Sequence, residues 1–178
     1  MTYVALLRGV NVGGTGTINM KELAAVFEAA GMTSVRTYIN SGNVIFQSPA
    51  EDSADLTAML EAAIEKRFGF AVRVLVRSRD EIAAIVAAIS PDWTNDAVMR
   101  CDVFFLRPEA DRPSVVDLLP HDPAIDDVRY VPGAVVHRVD RENVMKSKIT
   151  RIVGTPLYKQ MTIRNCNTAR KLLELMGG

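Results

Sequence analysis

A Gly-rich stretch near the N-terminus holds the residues whose types and spacing best suit chemistry. It follows the apolar run 2–7 and contains Arg8, Asn11, Gly13 and Gly14. Consecutive backbone N–H groups in a Gly-rich turn can bind an anion, and an arginine can bind the same anion through two hydrogen bonds. The spacing matches neither the Gly-x-x-x-x-Gly-Lys-Ser/Thr nor the Gly-x-Gly-x-x-Gly phosphate-binding motif. The stretch therefore predicts an anion site, or else a plain strand-to-helix connection in which Arg8 pairs with a carboxylate of its own chain.

Two further segments, 40–43 and 164–168, combine short polar side chains with a turn or a helix start. The first lies between two predicted strands, and the second precedes the last predicted helix, where helix capping accounts for only one of its polar residues. We expect the ligand to be small and anionic, such as a nucleotide or a phosphorylated metabolite. The predicted ligand-binding residues are Arg8, Asn11, Gly13, Gly14, Asn40, Ser41, Asn43, Lys148, Arg164, Asn165 and Asn167.

Whether the three polar motifs share one site is open at this point. In a β-α-β-β arrangement, we expect the loop after the first strand and the hairpin after the second to lie at opposite ends of neighbouring antiparallel strands. That geometry predicts a separation between the Gly-rich stretch and residues 40–43, unless the second half of the chain folds over one of them.

The sequence contains no recognisable catalytic arrangement. His121 lies beside a proline and His137 within a predicted strand, and neither has a nucleophile or metal-ligand pattern nearby in the sequence. Asp126 and Asp127 are adjacent, so in a strand their side chains would point to opposite faces instead of forming a carboxylate pair. We assign no catalytic residue, no metal site and no cofactor, and we leave open whether the protein is an enzyme.

Hydrophobic periodicity predicts the elements that position these residues in the first half of the chain. The order β-α-β-β-α-β is that of the split-βαβ, ferredoxin-like plait. The predicted elements are a strand over 2–7, a helix from the cap Asn19 to Gly31, strands over 35–40 and 44–47, a helix over 51–68 with Ser53 as its cap and Gly69 as its end, and a strand over 71–76.

The second half repeats strand, helix, strand and strand, and then supplies helical pieces in place of a final strand. The predicted elements are a helix over 78–90, a strand over 101–106, a helix over 113–119, a hairpin over 128–139, a short helix over 147–153, irregular chain over 154–162, and a last helix capped by Asn165 or Asn167. We therefore predict an α+β fold of two ferredoxin-like units, the second a degenerate copy of the first. The predicted limits are 1–77 and 101–178, with 78–100 as the connection.

Composition predicts an ordinary globular protein. Of the 178 residues 48% are hydrophobic, and the net charge is zero. No apolar run approaches the roughly 20 residues of a membrane span, and no signal-peptide pattern is present. We expect a cytoplasmic location and no membrane partner. Cys101 and Cys166 lack metal-ligand spacing and are expected to be free thiols.

Charge is distributed unevenly along the chain. Residues 141–171 contain eight basic residues and one acidic residue, a local charge of +7, whereas residues 92–127 contain nine acidic residues. This pattern fits either an anionic partner, such as nucleic acid, or two segments that face each other. The open face of the first sheet lacks the aromatic pattern of RNA-recognition motifs. Nucleic-acid binding through 141–171 and self-association stay as alternatives to small-ligand binding, and the oligomeric state is open.

The three polar motifs also carry a resemblance to a known family. Residues 6–14 (LLRGVNVGG), 38–46 (YINSGNVIF) and 164–168 (RNCNT), with Lys171 and Leu172, resemble the bacterial family called domain of unknown function 1697. The resemblance spans nearly the whole chain. It implies a small cytoplasmic protein of two ferredoxin-like α/β units and brings no established activity. Members of the family often carry tryptophan at the position of Cys166, so the resemblance implies no role for that thiol.

Overall fold

The computed structural model describes residues 1–14 and 16–177. Thr15, within the Gly-rich stretch, and Gly178, at the end of the predicted second unit, lie outside the described residues. The chain divides into two compact units. Unit 1 comprises Met1–Asp80 together with the residues from Leu172 onward, and unit 2 comprises Glu81–Lys171. None of the described helices combines the length and the apolar composition needed to cross a membrane.

Unit 1 contains a four-stranded antiparallel sheet and two helices. Its elements are β1 (Thr2–Leu7), α1 (Met20–Ala29), β2 (Thr33–Tyr38), β3 (Asn43–Gln47), α2 (Ser53–Phe68) and β4 (Val74–Ser78). The strand order is β2-β3-β1-β4, and each neighbouring pair is antiparallel. The elements occur in the predicted order, and β1 lies at the centre because it pairs with both β3 and β4.

The core of unit 1 lies between the sheet and the two helices. One stripe of each helix is buried against β1, β3 and β4; the stripes comprise Leu23 and Phe27 of α1 and Leu56, Leu60 and Ile64 of α2. Burying each of these side chains stabilises the fold by roughly 1.5–3 kcal/mol relative to leaving it exposed. This packing fixes the N-terminal end of α1, and therefore the loop that precedes it, against the end of β1.

Helix caps set the ends of α1 and α2. The Asn19 Oδ1 atom accepts hydrogen bonds from the backbone N–H groups of Lys21 and Glu22, at 2.9 and 3.2 Å, which confirms Asn19 as the cap. The prediction that Ser53 caps α2 is wrong, because the Asp52 side chain accepts from the backbone N–H of Ala54 instead. An ionised carboxylate also interacts favourably with the positive end of the helix.

The backbone is strained at Ile39, in the turn after β2. Its φ is +50°, and 49% of the residue is exposed. A β-branched side chain is disfavoured in this left-handed region, which asparagine tolerates better. We therefore expect Ile39→Asn to raise the free energy of unfolding by about 1 kcal/mol, measured by urea denaturation. Ile39→Thr keeps the β-branch and should give no such gain; an Ile39→Asn variant no more stable than the parent would contradict the strain.

Unit 2 contains the second four-stranded antiparallel sheet. The elements after β4 are α3 (Arg79–Ala87), β5 (Met99–Leu106), β6 (Asp126–Val131), β7 (Ala134–Asp140), β8 (Met161–Asn165) and α4 (Cys166–Leu175). The strand order is β6-β7-β5-β8. Short 3-10 segments connect the strands at Pro108–Ala110, Pro113–Leu118, Arg141–Asn143, Ile149–Ile152 and Tyr158–Gln160. The chain is therefore a mixed α+β protein with two antiparallel sheets.

The structure corrects the predicted end of the second half. A final strand, β8, is present where irregular chain and helical pieces were expected, and it pairs with β5 with Met161 opposite Leu106. Polar residues within this short strand hide the apolar alternation that predicts strands. The helices predicted over 113–119 and 147–153 are 3-10 segments, too short to form a regular apolar stripe.

Candidate functional site

Asn11 organises the Gly-rich loop, which we define as residues 8–19. Its backbone N–H donates to the carbonyl of Gly16 at 3.2 Å. Its side chain pairs with the backbone of Ile18, because Oδ1 accepts from the N–H at 2.8 Å and Nδ2 donates to the carbonyl at 3.0 Å. The residue adopts φ +55°, a conformation in which asparagine is enriched. Asn11 thus holds the loop closed immediately before α1.

The β2–β3 hairpin touches this loop. The Asn11 Nδ2 atom also donates to the carbonyl of Asn40 at 2.8 Å, and the N–H of Leu7 donates to the carbonyl of Gly42 at 2.8 Å. The expectation that loop and hairpin lie at opposite ends of the sheet is therefore wrong. Because β1 and β3 are antiparallel, with Leu6 opposite Asn43, the end of β1 and the start of β3 meet at one edge.

A cleft opens where the loop, the hairpin and the start of α1 meet. Its volume is about 520 Å³, and we call it the α1 cleft. Its lining residues are Asn11, Gly14, Thr17, Ile18, Asn19, Met20 and Asn40. Three of these were predicted site residues, namely Asn11, Gly14 and Asn40. The other four, Thr17, Ile18, Asn19 and Met20, were missed, although the cap signal at Asn19 already indicated that a helix starts next to the loop.

The polar groups around the α1 cleft favour negative charge. Gly13 and Gly14 adopt φ values of +64° and +78° and are exposed. No acceptor among the described residues binds their N–H groups. None of the described residues that line the cleft carries a carboxylate, and Glu22 in the first turn of α1 pairs with Arg67 at 3.0 Å. The N-terminal end of a helix adds a partial positive charge, so the cleft offers backbone donors in a positive field.

Four predicted residues of unit 1 do not line the α1 cleft, namely Arg8, Gly13, Ser41 and Asn43, although Gly13 adjoins the lining residue Gly14. Arg8 is half-buried, and its backbone N–H donates to the carbonyl of Arg73 at 2.9 Å. Asn43 is buried, and its Nδ2 atom donates to the carbonyl of Tyr38 and to Ser41 Oγ, both at 3.0 Å. Asn43 and Ser41 therefore stabilise the hairpin that presents Asn40 to the cleft.

The predicted residues of unit 2 stabilise the start of α4 and the end of β8. Asn165 Oδ1 accepts from the N–H of Thr168 at 2.9 Å, so Asn165 is the cap of α4, and Asn167 Nδ2 donates to a backbone carbonyl at 2.9 Å. Arg164 Nη1 donates to the carbonyl of Ile163, and burial lowers the pKa of Arg164 to about 10, so it stays charged at neutral pH. Lys148 is exposed and immediately precedes a 3-10 segment.

The basic segment 141–171 uses part of its charge within unit 2. Arg141 Nε donates to the carbonyl of Asp96 at 2.9 Å. Arg170 donates to the carbonyls of Trp93 and Ser90, at 2.7 and 3.0 Å. These guanidinium groups therefore bind the backbone near the start of the acidic stretch, whereas Lys148, Arg151 and Lys159 of the segment are exposed.

Comparison with known proteins places the chain in a family. The family model described as a protein of unknown function (DUF1697) matches residues 1–137. The chain belongs to the DUF1697 family. The match covers every residue of the α1 cleft and ends before the motif at 164–168, and it confirms the resemblance carried by the two N-terminal motifs.

A solved structure resembles the whole of this DUF1697 chain. It is the structure of the conserved bacterial protein SP0830 from Streptococcus pneumoniae, which is 26% identical, covers 98% of both chains and superposes with a TM-score of 0.83. No curated protein matches the chain. The comparisons therefore support the mixed α+β fold and assign no activity to this DUF1697 protein.

Unit 2 of this DUF1697 chain contains a buried polar cluster that the sequence did not reveal. His137 Nε2 lies 2.8 Å from Asp126 Oδ1, and Ser147 Oγ donates to the same oxygen at 2.8 Å. Asp126 Oδ2 accepts from the N–H of Asp122 at 2.8 Å. The carboxylate lies between the serine and the histidine, whereas a histidine that activates a serine must contact its hydroxyl. The cluster is therefore arranged to stabilise unit 2.

Burial and hydrogen bonding set the charges in this cluster. Burial, the strongest influence, lowers the pKa of His137 below 6.5, although the neighbouring Asp126 acts in the opposite direction. Burial alone would raise the pKa of Asp126, but hydrogen bonds from the Asp122 N–H, His137 and Ser147 outweigh it and lower the pKa. At neutral pH the pair is therefore a neutral imidazole that donates to a carboxylate.

Stability should fall as the solution is acidified. An unfolded histidine titrates near pH 6.5, and the lowered pKa of His137 means that the unfolded chain binds the proton more readily than the folded chain. The free energy of unfolding, obtained from urea denaturation, should therefore decrease between about pH 7 and the folded-state pKa of His137. His121→Gln should leave this decrease unchanged, whereas His137→Gln should reduce it; equal stability at about pH 7 and pH 5 would contradict the assignment.

Proposed function

We propose that unit 1 binds a small anionic ligand, such as a nucleotide or a phosphorylated metabolite, in the α1 cleft. The observation that carries the proposal is the pair of exposed glycines, Gly14 in the lining of the cleft and Gly13 next to it in the chain, for whose backbone N–H groups no described residue supplies an acceptor. Successive N–H groups of this kind form concave sites for phosphate and carboxylate oxygens. They adjoin the start of α1, whose partial positive charge adds to the attraction.

The framework of the cleft supports binding without a large rearrangement. Asn11 ties the loop to Ile18 on one side and to Asn40 on the other. Asn19 Oδ1 holds two N–H groups of the first turn of α1. A site that is already ordered loses less conformational entropy when a ligand binds. The cleft volume of about 520 Å³ lies within the range typical of small-molecule sites.

We also propose the finer description of the fold that frames this site, a ferredoxin-like plait in each unit. In unit 1, the strand order β2-β3-β1-β4 with α1 and α2 against the sheet supports it. In unit 2, the matching order β6-β7-β5-β8 supports it, with 3-10 segments between β5 and β6 and between β7 and β8, where the plait has its two helices.

A charge placed in the cleft tests the proposed function. Thr17 is exposed and lines the cleft, so Thr17→Glu adds a carboxylate there, and Thr17→Gln adds a side chain of the same length without charge. We expect ADP to raise the melting temperature of the parent, and adenosine to leave it unchanged, because mass action stabilises the liganded fold. Thr17→Glu should weaken ADP binding by about tenfold or more, and Thr17→Gln by less than about twofold.

Two results would contradict the proposed function. One is the absence of any rise in melting temperature with ADP or inorganic phosphate at millimolar concentrations. The other is unchanged ADP affinity in Thr17→Glu, which would place the anion elsewhere on the protein.

A further inference from the structure

A second cleft lies within unit 2, and none of its lining residues belongs to the polar cluster around His137. Its volume is about 630 Å³, and two segments of the chain, 109–120 and 151–160, form its walls. Most of its lining is apolar, comprising Ala110, Leu118, Pro120, Ile152, Pro156 and Leu157. A cavity of this size with mainly apolar walls and a few polar groups is typical of sites for small organic molecules.

Two arginines give this cleft its charge, and we call it the Arg112–Arg151 cleft. Arg151 is exposed, and its guanidinium makes no hydrogen bond or ion pair with any described residue. Arg112 uses one nitrogen, Nη1, to donate to the carbonyl of Glu109 at 2.9 Å. The Glu109 carboxylate lies 3.8 Å from Arg107 Nε, so its charge is partly balanced by a residue that does not line the cleft. A net positive charge therefore borders an apolar cavity.

The walls are ordered by hydrogen bonds within their own segments. Thr155 Oγ1 donates to the carbonyl of Ile152 at 2.6 Å and accepts from the N–H of Tyr158 at 3.2 Å. The N–H of Arg107, two residues before the first wall, donates to the carbonyl of Gln160 in the second wall at 2.9 Å and connects the two segments. Leu118 is 56% exposed. A bound apolar group would cover it and remove that surface from water.

We infer that the Arg112–Arg151 cleft binds an organic acid with an apolar body. The carboxylate would accept hydrogen bonds from Arg112 and Arg151, because a guanidinium matches a carboxylate with two parallel donors. The body would pack against Leu118, Ile152 and Leu157. This inference does not depend on the α1 cleft, and it gives the basic segment 141–171 a role that requires no nucleic acid.

The test compares two probes of one shape. The full chain is titrated with naphthalene-2-carboxylate and with the uncharged naphthalene-2-carboxamide, and binding is followed by the backbone amide signals in NMR. The carboxylate should shift signals of residues 109–112 and 151–160 and bind about tenfold or more tightly than the carboxamide. Arg151→Gln should weaken carboxylate binding by about tenfold and leave carboxamide binding unchanged.

Lys159→Gln is the matched control, since it removes one exposed positive charge of the same segment that does not line the cleft. It should change carboxylate affinity by less than about twofold. The inference is overturned if neither probe shifts the signals of the cleft, if the two probes bind equally, or if Arg151→Gln binds the carboxylate as tightly as the parent does.

Discussion

Gly42→Ala should destabilise the protein by about 3 kcal/mol. Gly42 adopts φ +79°, and a Cβ at this position would lie 2.7 Å from both Leu7 Cβ and Val10 Cγ2. Both neighbours are almost fully buried, so they cannot move aside without disturbing the core of unit 1. In the alanine variant, the strain of the left-handed conformation and the steric overlap each lower the free energy of unfolding, and the two losses add. Urea denaturation of the parent and the variant measures the loss.

Gly31→Ala separates the two causes of that loss. Gly31 adopts φ +90°, but a Cβ there would meet no atom within 4 Å. The backbone strain remains and the overlap does not, so the loss should be only about 1–2 kcal/mol. Equal losses in the two variants would show that the close contact between the hairpin and the end of β1 contributes nothing to the free energy of unfolding. That contact also brings Asn40 to the α1 cleft.

Asp126→Ala should cost about 3 kcal/mol or more in the free energy of unfolding. The substitution leaves three donors without their acceptor in a buried place: His137 Nε2, the Ser147 hydroxyl and the N–H of Asp122. Buried donors that lose their partners keep the cost of desolvation without the compensating hydrogen bond. Urea denaturation at neutral pH measures the effect.

Ser147→Ala provides the comparison for the buried cluster. It removes one donor to Asp126 and the acceptor of the Ile149 N–H at 3.3 Å, but it leaves Asp126 with hydrogen bonds from His137 and from the backbone, so the expected loss is about 1–2 kcal/mol. The carboxylate is the shared acceptor only if its removal costs clearly more than the removal of the serine hydroxyl. Similar losses in the two variants would contradict the role assigned to Asp126.

Sequence periodicity predicted the elements of unit 1 because each signal there is local. Asn19 caps the helix that it was expected to cap, and Gly69 ends α2 in the left-handed conformation, at φ +81°. The strand β8 was missed because its five residues alternate weakly between buried and polar side chains. It is identified by its pairing with β5, a strand more than 50 residues earlier. Such a partner is not visible in a local pattern.

The contacts within the candidate site likewise join distant parts of the chain and are not visible in a local sequence pattern. Asn11 and Asn40 are both predicted site residues, but their contact depends on which ends of β1 and β3 meet. The element order is predicted correctly, whereas the expectation that the loop and the hairpin lie at opposite ends of the strands is wrong. The cluster of Asp126, His137 and Ser147 joins β6, β7 and a later loop. No spacing rule connects those three positions, since the folded sheet alone brings them together.

The anion site in the α1 cleft is tested most directly by titrating the full chain with inorganic phosphate and following its backbone amide signals by NMR. The N–H groups of Gly13 and Gly14 should move progressively with phosphate concentration, because hydrogen bonding to an anion changes the environment of the donor. Chloride at matched ionic strength should leave them in place. Saturable shifts at Gly13 and Gly14 would support the proposal, and shifts confined to other residues, or none at all, would contradict it.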